Sequence, residues 1–418
     1  MKICLISAVH VWVNPRLVKE ADLLVERGHS VTVITIANDD WSEERDRELL
    51  KTKKWTVKKV VLLKSTLAGR VRWIYAALRQ KLFFNLSGIF PKSLRFAAEA
   101  CYRGYWLALK WALEEKADFY IAHTQAALAI AMRAAGAGGK GFGFDCEDLN
   151  ALAQADGARH PQVARNIKKI EASCLEKAQY VTATSTAMAE FLVSSYGIAQ
   201  PIVIHNVFSL KETAILLPPD KRSAHSEKIS LVWMSATIGK GRGLEMVLTA
   251  MKKSLPDCEL TVCGRFLDLK FQKKIEGLVK KGLTERVYFK KLAMPAEVFK
   301  ELSRHDIGLA LEDGSCLNLA LTVTNKYFLY LQSGLALAVS DVPGQRSVWK
   351  EHPETGFIFP PNDVHAFAVG IREFCVDRKK LLETKQSTWK LGLETYNWEK
   401  ESRGWFSMLK NEMEKKNL

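Results

Sequence analysis

Apolar and polar positions alternate along this chain in two periods, and the alternation predicts strands and helices in turn. An apolar run over 2–8 is followed by helical spacing from Leu17 to Val25, a stop at Gly28 and a second apolar run over 31–36. A strand, a helix and a second strand with short connections are typical of a parallel sheet. The first forty residues therefore predict the start of such a sheet.

The same pattern recurs to the end of the chain. Further strands of the first half are predicted at 119–122, 141–145, 180–184 and 202–204. Strands of the second half are predicted at 229–234, 259–263, 286–289, 307–311 and 335–339, with helices at about 243–253, 268–281, 295–303 and 324–332. Between the halves, 209–228 has no periodicity and contains Pro218-Pro219, which indicates a linker or surface loop.

With 418 residues the chain has room for two domains. The economical architecture is α/β, with two successive doubly wound, Rossmann-like domains. The predicted boundaries are 1–208 for the first domain, 209–228 for the linker, 229–395 for the second domain and 396–418 for an amphipathic C-terminal helix. In such sheets ligands bind beyond the carboxyl ends of the strands, so the chemistry is expected in the loops that follow them.

Composition narrows the class of protein. The eight cysteines are scattered and form no C-x-x-C pair, which argues against a disulfide framework or a zinc site. No run of 18 or more apolar residues is present, and the N-terminus lacks the pattern of a signal peptide. We therefore expect a cytoplasmic protein whose mature chain starts at Met1.

The net charge of +15 is concentrated in 51–116, which holds fifteen basic residues and three acidic ones. Within it, apolar side chains recur at helical spacing among arginines and lysines: Val71, Tyr75, Leu78 and Leu82 lie among Arg70, Arg72, Arg79 and Lys81. A basic amphipathic helix of this kind can dock on an anionic membrane surface. The alternative is that the apolar stripe faces the core and the charges are only solvated; we favour docking. Nucleic-acid binding is not expected, because it would need stacking aromatics interleaved along a groove.

The clearest candidate site lies in 235–245, directly after a predicted strand. Its small residues allow a close approach of backbone to ligand, and the following helix presents free N–H groups. The loop itself contains two cations, Lys240 and Arg242, so it suits a diphosphate. Its candidate residues are Gly239, Lys240, Gly241, Arg242 and Gly243. It is neither a Walker loop nor the dinucleotide fingerprint. The alternative is a flexible basic turn without a ligand.

Other loops offer weaker candidates. Asn325 and Lys326 begin a predicted helix and can meet anionic oxygens, or can belong to a capped helix with a solvated lysine. His123 follows a strand and can hydrogen-bond a substrate or be structural. Asp145, Glu147 and Asp148 can bind hydroxyls or a cation, or cap the next helix. Arg16 and Lys19 can face phosphate or lie on the wet side of a helix.

Taken in order, these motifs resemble the retaining glycosyltransferases of the GT-B fold, family 4. The resemblance rests on Asn14-Pro15-Arg16-Leu17, Ala122-His123, Phe144-Asp145-Cys146-Glu147-Asp148, Thr237-Ile238-Gly239 with Arg242-Gly243-Leu244-Glu245, and Asn325-Lys326-Tyr327-Phe328. It implies two domains facing across a cleft and sugar transfer from a nucleoside-diphosphate sugar to a glycan or lipid-linked acceptor, as in surface polysaccharide or glycolipid assembly. It also implies a C-terminal helix that returns to the first domain.

The resemblance also assigns roles. His123, Arg242 and Lys326 are the expected catalytic residues, and the second domain is expected to bind the donor through Gly239, Lys240, Gly241, Gly243, Glu312 and Asn325. Arg16, Asp145, Glu147 and Asp148 are expected on the acceptor side. No metal or other cofactor is expected, since cations and the helix dipole would neutralise the leaving diphosphate. Peripheral docking on the inner face of the membrane through 51–116 is the corresponding localisation.

One departure separates this chain from the family pattern. Leu329 stands where the family usually has a glutamate that holds the donor, and Leu321 takes the place of a second one. The ribose is then held differently, through Glu312 and Asp313, or donor binding has been lost. We expect activity because the cationic residues and His123 are retained; the alternatives are a non-catalytic binding protein and a sugar-nucleotide epimerase.

Overall fold

The computed structural model describes residues 1–152, 161–222, 228–293 and 295–415, and it divides the chain into two compact units. The N-terminal unit comprises Met1–Thr184, Met188–Ile204 and the chain from Gly404 onward. The C-terminal unit comprises Ser185–Ala187 and His205–Arg403. Each unit is built around its own parallel sheet.

The N-terminal unit contains a seven-stranded sheet with the strand order β3-β2-β1-β4-β5-β6-β7, and every pair is parallel. Its strands are β1 (Lys2–Ser7), β2 (Ser30–Ala37), β3 (Thr56–Val61), β4 (Phe119–His123), β5 (Gly141–Cys146), β6 (Tyr180–Ala183) and β7 (Ile202–Val203). The helices are α1 (Pro15–Glu26), α2 (Asp40–Leu50), α3 (Leu67–Ile89), α4 (Leu94–Cys101), α5 (Tyr105–Glu115), α6 (Gln125–Gly138), α7 (Pro161–Cys174) and α8 (Thr186–Tyr196).

The C-terminal unit contains a six-stranded parallel sheet with the order β10-β9-β8-β11-β12-β13. Its strands are β8 (Ile229–Ile238), β9 (Cys258–Phe266), β10 (Val287–Lys290), β11 (Ile307–Ala310), β12 (Ala336–Ser340) and β13 (Gly356–Phe359). The helices are α9 (Leu210–Thr213), α10 (Leu244–Ser254), α11 (Leu269–Val279), α12 (Pro295–Leu302), α13 (Leu317–Leu321), α14 (Asn325–Gln332), α15 (Pro343–Trp349), α16 (Val364–Val376) and α17 (Arg378–Glu394). The last helix, α18 (Trp398–Lys415), begins in this unit and belongs to the N-terminal unit from Gly404 onward.

Local chemistry explains where the first helix begins. The Asn14 side chain accepts a hydrogen bond from the Leu17 backbone N–H at 3.0 Å, and Pro15 occupies the first helical position. Leu17, Ala21 and Leu24 are fully buried against the sheet. The helix therefore packs as its apolar spacing predicts, and a short 3-10 helix over Val11–Val13 separates it from the end of β1.

Two strands escaped prediction, for different reasons. Lys58 and Lys59 interrupt the apolar run of β3, and they are tolerated because each forms an ion pair, with Glu115 at 2.6 Å and with Glu43 at 2.9 Å. The other unpredicted strand, β13, is only four residues long. Both are the last strands at the edges of their sheets, where the apolar signal is weakest.

Both sheets reverse their strand order at one point. In the N-terminal unit the reversal lies between β1 and β4, and in the C-terminal unit it lies between β8 and β11. Loops at such a switch point diverge and leave a crevice at the carboxyl ends of the strands, where α/β proteins bind their ligands. The segments after β1, β4, β8 and β11 are therefore where the chemistry of each unit is expected. Among the described residues, no helix is both long and apolar enough to cross a bilayer.

Candidate functional site

In the N-terminal unit the switch point is occupied by a buried cluster of charged side chains around His123. His123 is the last residue of β4, and the strand register places it beside Asp145 of β5. Its Nδ1 atom lies 3.2 Å from Asp145 Oδ2 and 3.8 Å from Glu147 Oε1. Its Nε2 atom lies 3.1 Å from Glu20 Oε2. The imidazole is completely buried between these carboxylates.

These distances are those of ion pairs, but the angles do not make hydrogen bonds. Both ring nitrogens of His123 and both carboxylate oxygens of Glu20 are buried without a hydrogen-bond partner. The ring is therefore held by charge and packing, with its N–H bonds not aligned on the carboxylates. That leaves hydrogen-bonding capacity at the centre of the cluster.

Arg16 supports the cluster from α1. Its Nε donates to both carboxylate oxygens of Asp145 at 3.0 and 2.9 Å, and its Nη2 donates to Oδ1 at 2.8 Å. Its Nη1 donates to the Ile204 carbonyl oxygen, and Thr182 adds a further donor to Asp145. Arg16 is fully buried, so the expectation that it could lie on the wet side of a helix is wrong. Its charge is already matched by Asp145, which also removes Asp145 from the role of helix cap.

The electrostatics of this cluster favour a cationic imidazole. Burial alone would lower the pKa of His123, but Glu20, followed by Asp145 and Glu147, raises it well above its ordinary value. Burial would likewise raise the pKa of Asp145, yet Arg16 and His123 hold it well below its ordinary range. The raised pKa of His123 favours the charged imidazole, and burial also raises the pKa of its neighbour Glu20.

Glu20 is the site residue that sequence reasoning missed. It lies one helical turn after Arg16, so the two charged residues share the buried face of α1 with Leu17 and Leu24. The sequence did contain a signal for this: Arg16 and Glu20 fall on the same helical face as the apolar residues of α1, which indicates that both charges are buried. Of the other acidic candidates, Glu147 is half-buried at the edge of the cluster. Asp148 is exposed, and its backbone carbonyl accepts from the Gln125 side chain.

In the C-terminal unit the switch point carries the glycine loop. Strand β8 extends to Ile238, four residues beyond the predicted end, with a register irregularity between Met234 and Thr237. Gly241 and Gly243 then adopt positive φ angles of 78° and 71°. A Cβ atom on Gly243 would lie 3.0 Å from Leu311 Cβ. Glycine is needed there for its conformation and for its size.

The loop ends at an open helix terminus. Gly243 caps α10 without any side-chain hydrogen bond, so the first N–H groups of this 11-residue helix have no side-chain cap. Arg242 is half-buried and donates from Nη1 to Ser235 Oγ at 2.6 Å, whereas Lys240 is exposed. A Cβ on Gly239 would meet no atom within 4 Å. The loop thus combines free N–H groups, a positioned guanidinium and open space, the features of a phosphate site.

Lys326 lies in the same unit, in the first turn of α14. Its Nζ is 2.9 Å from Glu312 Oε1, 3.3 Å from the Leu311 carbonyl oxygen and 5.4 Å from the ring centre of Trp233. Both ions of the pair are buried, so the alternative of a solvated lysine is wrong. Burial lowers the pKa of Lys326, opposed by Glu312 and reinforced by Arg242. The charge of Arg242 is therefore close enough to Lys326 to lower the pKa of the lysine.

The residues after β11 show what stands near the family's missing glutamates. Leu329 and Leu321 are both buried. Glu312 is turned to Lys326, while Asp313 lies beside the glycine loop: its backbone N–H donates to the Gly241 carbonyl at 3.1 Å. A Cβ on Gly241 would lie 3.3 Å from Asp313 Oδ2. Asn325 begins α14 and is half-buried.

Comparisons with known proteins agree with this geometry. The family model for Glycosyltransferase Family 4 matches residues 16–212, and that for Glycosyl transferases group 1 matches residues 219–390. A search of the curated proteins finds no match.

Several solved structures are similar over nearly the whole chain. Alr3699/HepE of Anabaena, in complex with UDP and glucose, is 14% identical, with a TM-score of 0.71 over 98% of this chain and 100% of that chain. Sucrose-phosphate synthase from Thermosynechococcus elongatus is 16% identical, with a TM-score of 0.69 over 98% of both chains. The apo form of the lipopolysaccharide outer core galactosyltransferase WaaB is 14% identical, with a TM-score of 0.60 over 97% of this chain and 99% of that chain.

At such identities the structural likeness shows the fold, and it confirms the predicted pair of Rossmann-like sheets. The two family models together span most of the chain. The protein therefore belongs to the family 4 and group 1 glycosyltransferases of the GT-B fold, which confirms the prediction of a glycosyltransferase.

Proposed function

We propose that the protein transfers a hexose, with retention, from a uridine diphosphate hexose to a glycan or lipid-linked acceptor. The observation that carries this proposal is the glycine loop before α10. There Arg242 lies beside a helix start without a side-chain cap, and its charge acts on Lys326. Two cations and a helix terminus at one sheet edge suit the two negative charges that leave with a diphosphate. The complexes of Alr3699/HepE with UDP and with UDP-glucose support uridine as the first base to test.

Within this proposal the cations have separate tasks. Arg242 is tethered to Ser235 yet only half-buried, so its guanidinium can reach a bound diphosphate. Lys326 is buried beside Glu312 and supplies a fixed positive charge behind the phosphates. Glu312 is buried beside Lys326, so we assign the ribose to Asp313, whose carboxylate borders the glycine loop and accepts from Ser315 through Oδ1. Leu329 of α14 is then a buried packing residue that makes no hydrogen bond to the donor.

The N-terminal cluster has the complementary role. A cationic His123 presents a hydrogen-bond donor whose capacity is not used by its neighbours. Such a donor can hold a sugar hydroxyl at the reacting face. Glu147, half-buried at the edge, is the carboxylate best placed to meet an acceptor hydroxyl, and Arg16 with Asp145 holds the ring in place.

We also propose that transfer needs no metal ion. Glu20, His123 and Asp145 each offer a ligand atom, all within 4.8 Å of one another. However, both oxygens of Asp145 accept from Arg16, and His123 holds a positive charge that opposes a second cation. Turnover that survives an excess of chelator would support this proposal, and loss of turnover restored by a divalent ion would overturn it.

The setting proposed is the cytoplasmic side of a membrane, in the assembly of surface polysaccharide or glycolipid. The fold likeness to WaaB, an outer core galactosyltransferase, supports a glycan acceptor of this kind.

Thermal stabilisation across nucleoside diphosphates and nucleotide sugars tests the donor site directly, because a ligand that binds only the folded state raises the melting temperature. We expect UDP and a UDP-hexose to raise it by several degrees in the wild type and far less in Arg242→Ala. Lys379→Ala, an exposed lysine of α17, is the control and should keep the full shift. Absence of a shift with every nucleotide would contradict the proposal and favour the non-catalytic alternative.

Donor turnover without an acceptor product separates the remaining rival. Conversion of the donor sugar into its epimer would identify a sugar-nucleotide epimerase. Slow hydrolysis, with the first-formed sugar keeping the anomeric configuration of the donor, would support retaining transfer.

A further inference from the structure

Helix α3 presents an apolar face to the solvent along its whole length. Six aliphatic side chains and one tyrosine are more than half exposed, with Leu67 at 79%, Leu78 at 64% and Ile89 at 69%; the others are Val71, Ile74, Tyr75 and Leu82. Their spacing of three, four or seven residues places them on one side of a helix. With 23 residues, α3 is about 34 Å long, so the stripe is large for a surface feature.

The opposite side of the same helix is already packed. Gly69, Ala76, Phe83 and Ser87 are its buried residues. Phe83 packs on Phe96 of α4 with ring centres 5.5 Å apart. Ser87 Oγ accepts from Asn166 Nδ2 of α7 at 2.9 Å. The fold of the unit therefore uses one face of α3 and leaves the other uncovered, which makes wrong the alternative that the apolar stripe faces the core.

The charge around the stripe identifies what covers it. Between residues 62 and 98 the sequence has seven basic residues and no acidic one. Arg70 and Lys81 flank one edge of the stripe, Arg72 lies on the other, and all three are exposed. Lys92 and Arg95, just after the helix, are exposed as well. A covering surface must be apolar at its centre and anionic at its rim.

From this face we infer that α3 docks the protein on an anionic membrane, with the stripe Leu67–Ile89 lying in the interface and the flanking cations on lipid phosphates. A helix with an apolar face and basic edges inserts in this way, parallel to the membrane plane. A second copy of the chain fits less well, because it would bring two basic rims together without a carboxylate in 62–98 to pair them. Nucleic acid fits less well because aliphatic side chains dominate the stripe and cannot stack on bases.

Co-sedimentation with vesicles tests this surface on the whole protein. The probes are vesicles of phosphatidylcholine alone and of phosphatidylcholine with 30% phosphatidylglycerol. We expect the wild type to partition onto the anionic vesicles at least tenfold more strongly than onto the neutral ones. Val71→Asp with Leu78→Asp should reduce that partitioning about tenfold or more, and Arg72→Glu with Lys81→Glu should do the same.

The controls carry the same chemical changes elsewhere. Val376→Asp changes a valine that is 87% exposed on α16, and Lys379→Glu changes an exposed lysine of α17. Both should bind vesicles as the wild type does. Because all the positions are exposed, every variant should keep its melting temperature and its stabilisation by UDP. The docking test therefore fails or succeeds independently of the donor site.

Three results would overturn the inference. The first is a wild type that ignores anionic vesicles, or an apolar-stripe variant that binds them unchanged. The second is a lipid-free dimer that Val71→Asp with Leu78→Asp converts to monomer, since the face would then belong to a second copy. The third is tight binding of RNA or DNA that the basic double variant abolishes while vesicle binding persists.

Discussion

The charged sites of the two units differ in how far their charges are buried and paired within the protein. In the N-terminal unit, Arg16, Asp145 and His123 are fully buried and already matched in charge. In the C-terminal unit, Arg242 is half-buried on a glycine loop at an uncapped helix start. The charges of the first site are matched within the protein, although the ring nitrogens of His123 lack hydrogen-bond partners. The second site offers a guanidinium and an uncapped helix start. The comparison shows that one unit buries its charges in matched pairs, whereas the other leaves a cation beside a helix start; in the proposed function the second site is the one that receives the charge of the substrate.

The largest effect should come from breaking the matched charges of the N-terminal cluster. Asp145→Ala leaves the buried Arg16 without its carboxylate, which we expect to lower the free energy of unfolding by about 3–5 kcal/mol. Glu373→Ala, which removes half of an exposed ion pair with Lys380, is the control and should change it by less than about 1 kcal/mol. Urea denaturation measures both, and equal costs would refute the contrast between buried and exposed pairs.

The glycine loop should respond to conformation more than to charge. Gly243→Ala forces a side chain into a positive φ and against Leu311, which we expect to cost about 1–3 kcal/mol of stability. Gly239→Ala meets open space and should leave the melting temperature unchanged while it weakens UDP binding. If Gly239→Ala destabilised the fold as much as Gly243→Ala, the loop would be structural and its open space would have no ligand.

The charge on His123 should set the alkaline limit of the enzyme. Its pKa is raised in the folded chain, so the stability from its cation is fully present below the ordinary value of about 6.5 and is lost as the pH rises through the raised pKa. Glu20→Gln removes the main cause of the raised pKa and should move the alkaline fall in turnover to lower pH. Lys379→Ala is the control and should leave the pH profile of turnover unchanged. An unchanged profile in Glu20→Gln would contradict the prediction, because it would mean that His123 is neutral over the whole pH range.

The smallest effect should come from the proposed ribose contact. Asp313→Asn keeps the size of the side chain but removes its charge, and we expect affinity for UDP to fall about threefold to tenfold. Inorganic pyrophosphate has no ribose and should bind both forms equally. A loss that is the same for UDP and pyrophosphate would place Asp313 in the structure of the glycine loop and away from the ribose.

Much of the fold was predictable because short apolar runs that alternate with helical spacing are typical of a parallel sheet with helices between its strands. The glycine loop was predictable as well, since its residues are adjacent in the sequence. The partnership of Arg16 with Asp145 was not, because it joins residues 129 positions apart and depends on which strands are neighbours. The burial of Lys326 against Glu312 was not predictable for the same reason, since Glu312 follows the end of β11 and Lys326 lies in α14.

Helix α3 shows a different limit. The stripe through Val71, Leu78 and Leu82 is visible in the sequence, but Ala76 and Phe83 form a second apolar face on the same helix. Periodicity alone cannot decide which face packs on the protein. The decision comes from Phe96 and Asn166, which belong to other helices and select the face with Phe83 and Ser87.

The division of labour between the two sites is tested most directly by measuring, in parallel, UDP affinity and donor turnover in Arg242→Ala and His123→Gln. The account predicts that Arg242→Ala weakens UDP binding at least tenfold, whereas His123→Gln binds UDP within about twofold of wild type yet loses about a hundredfold in turnover. Melting temperatures establish that both variants are folded. Equal loss of UDP affinity in the two variants, or full turnover in His123→Gln, would contradict the account.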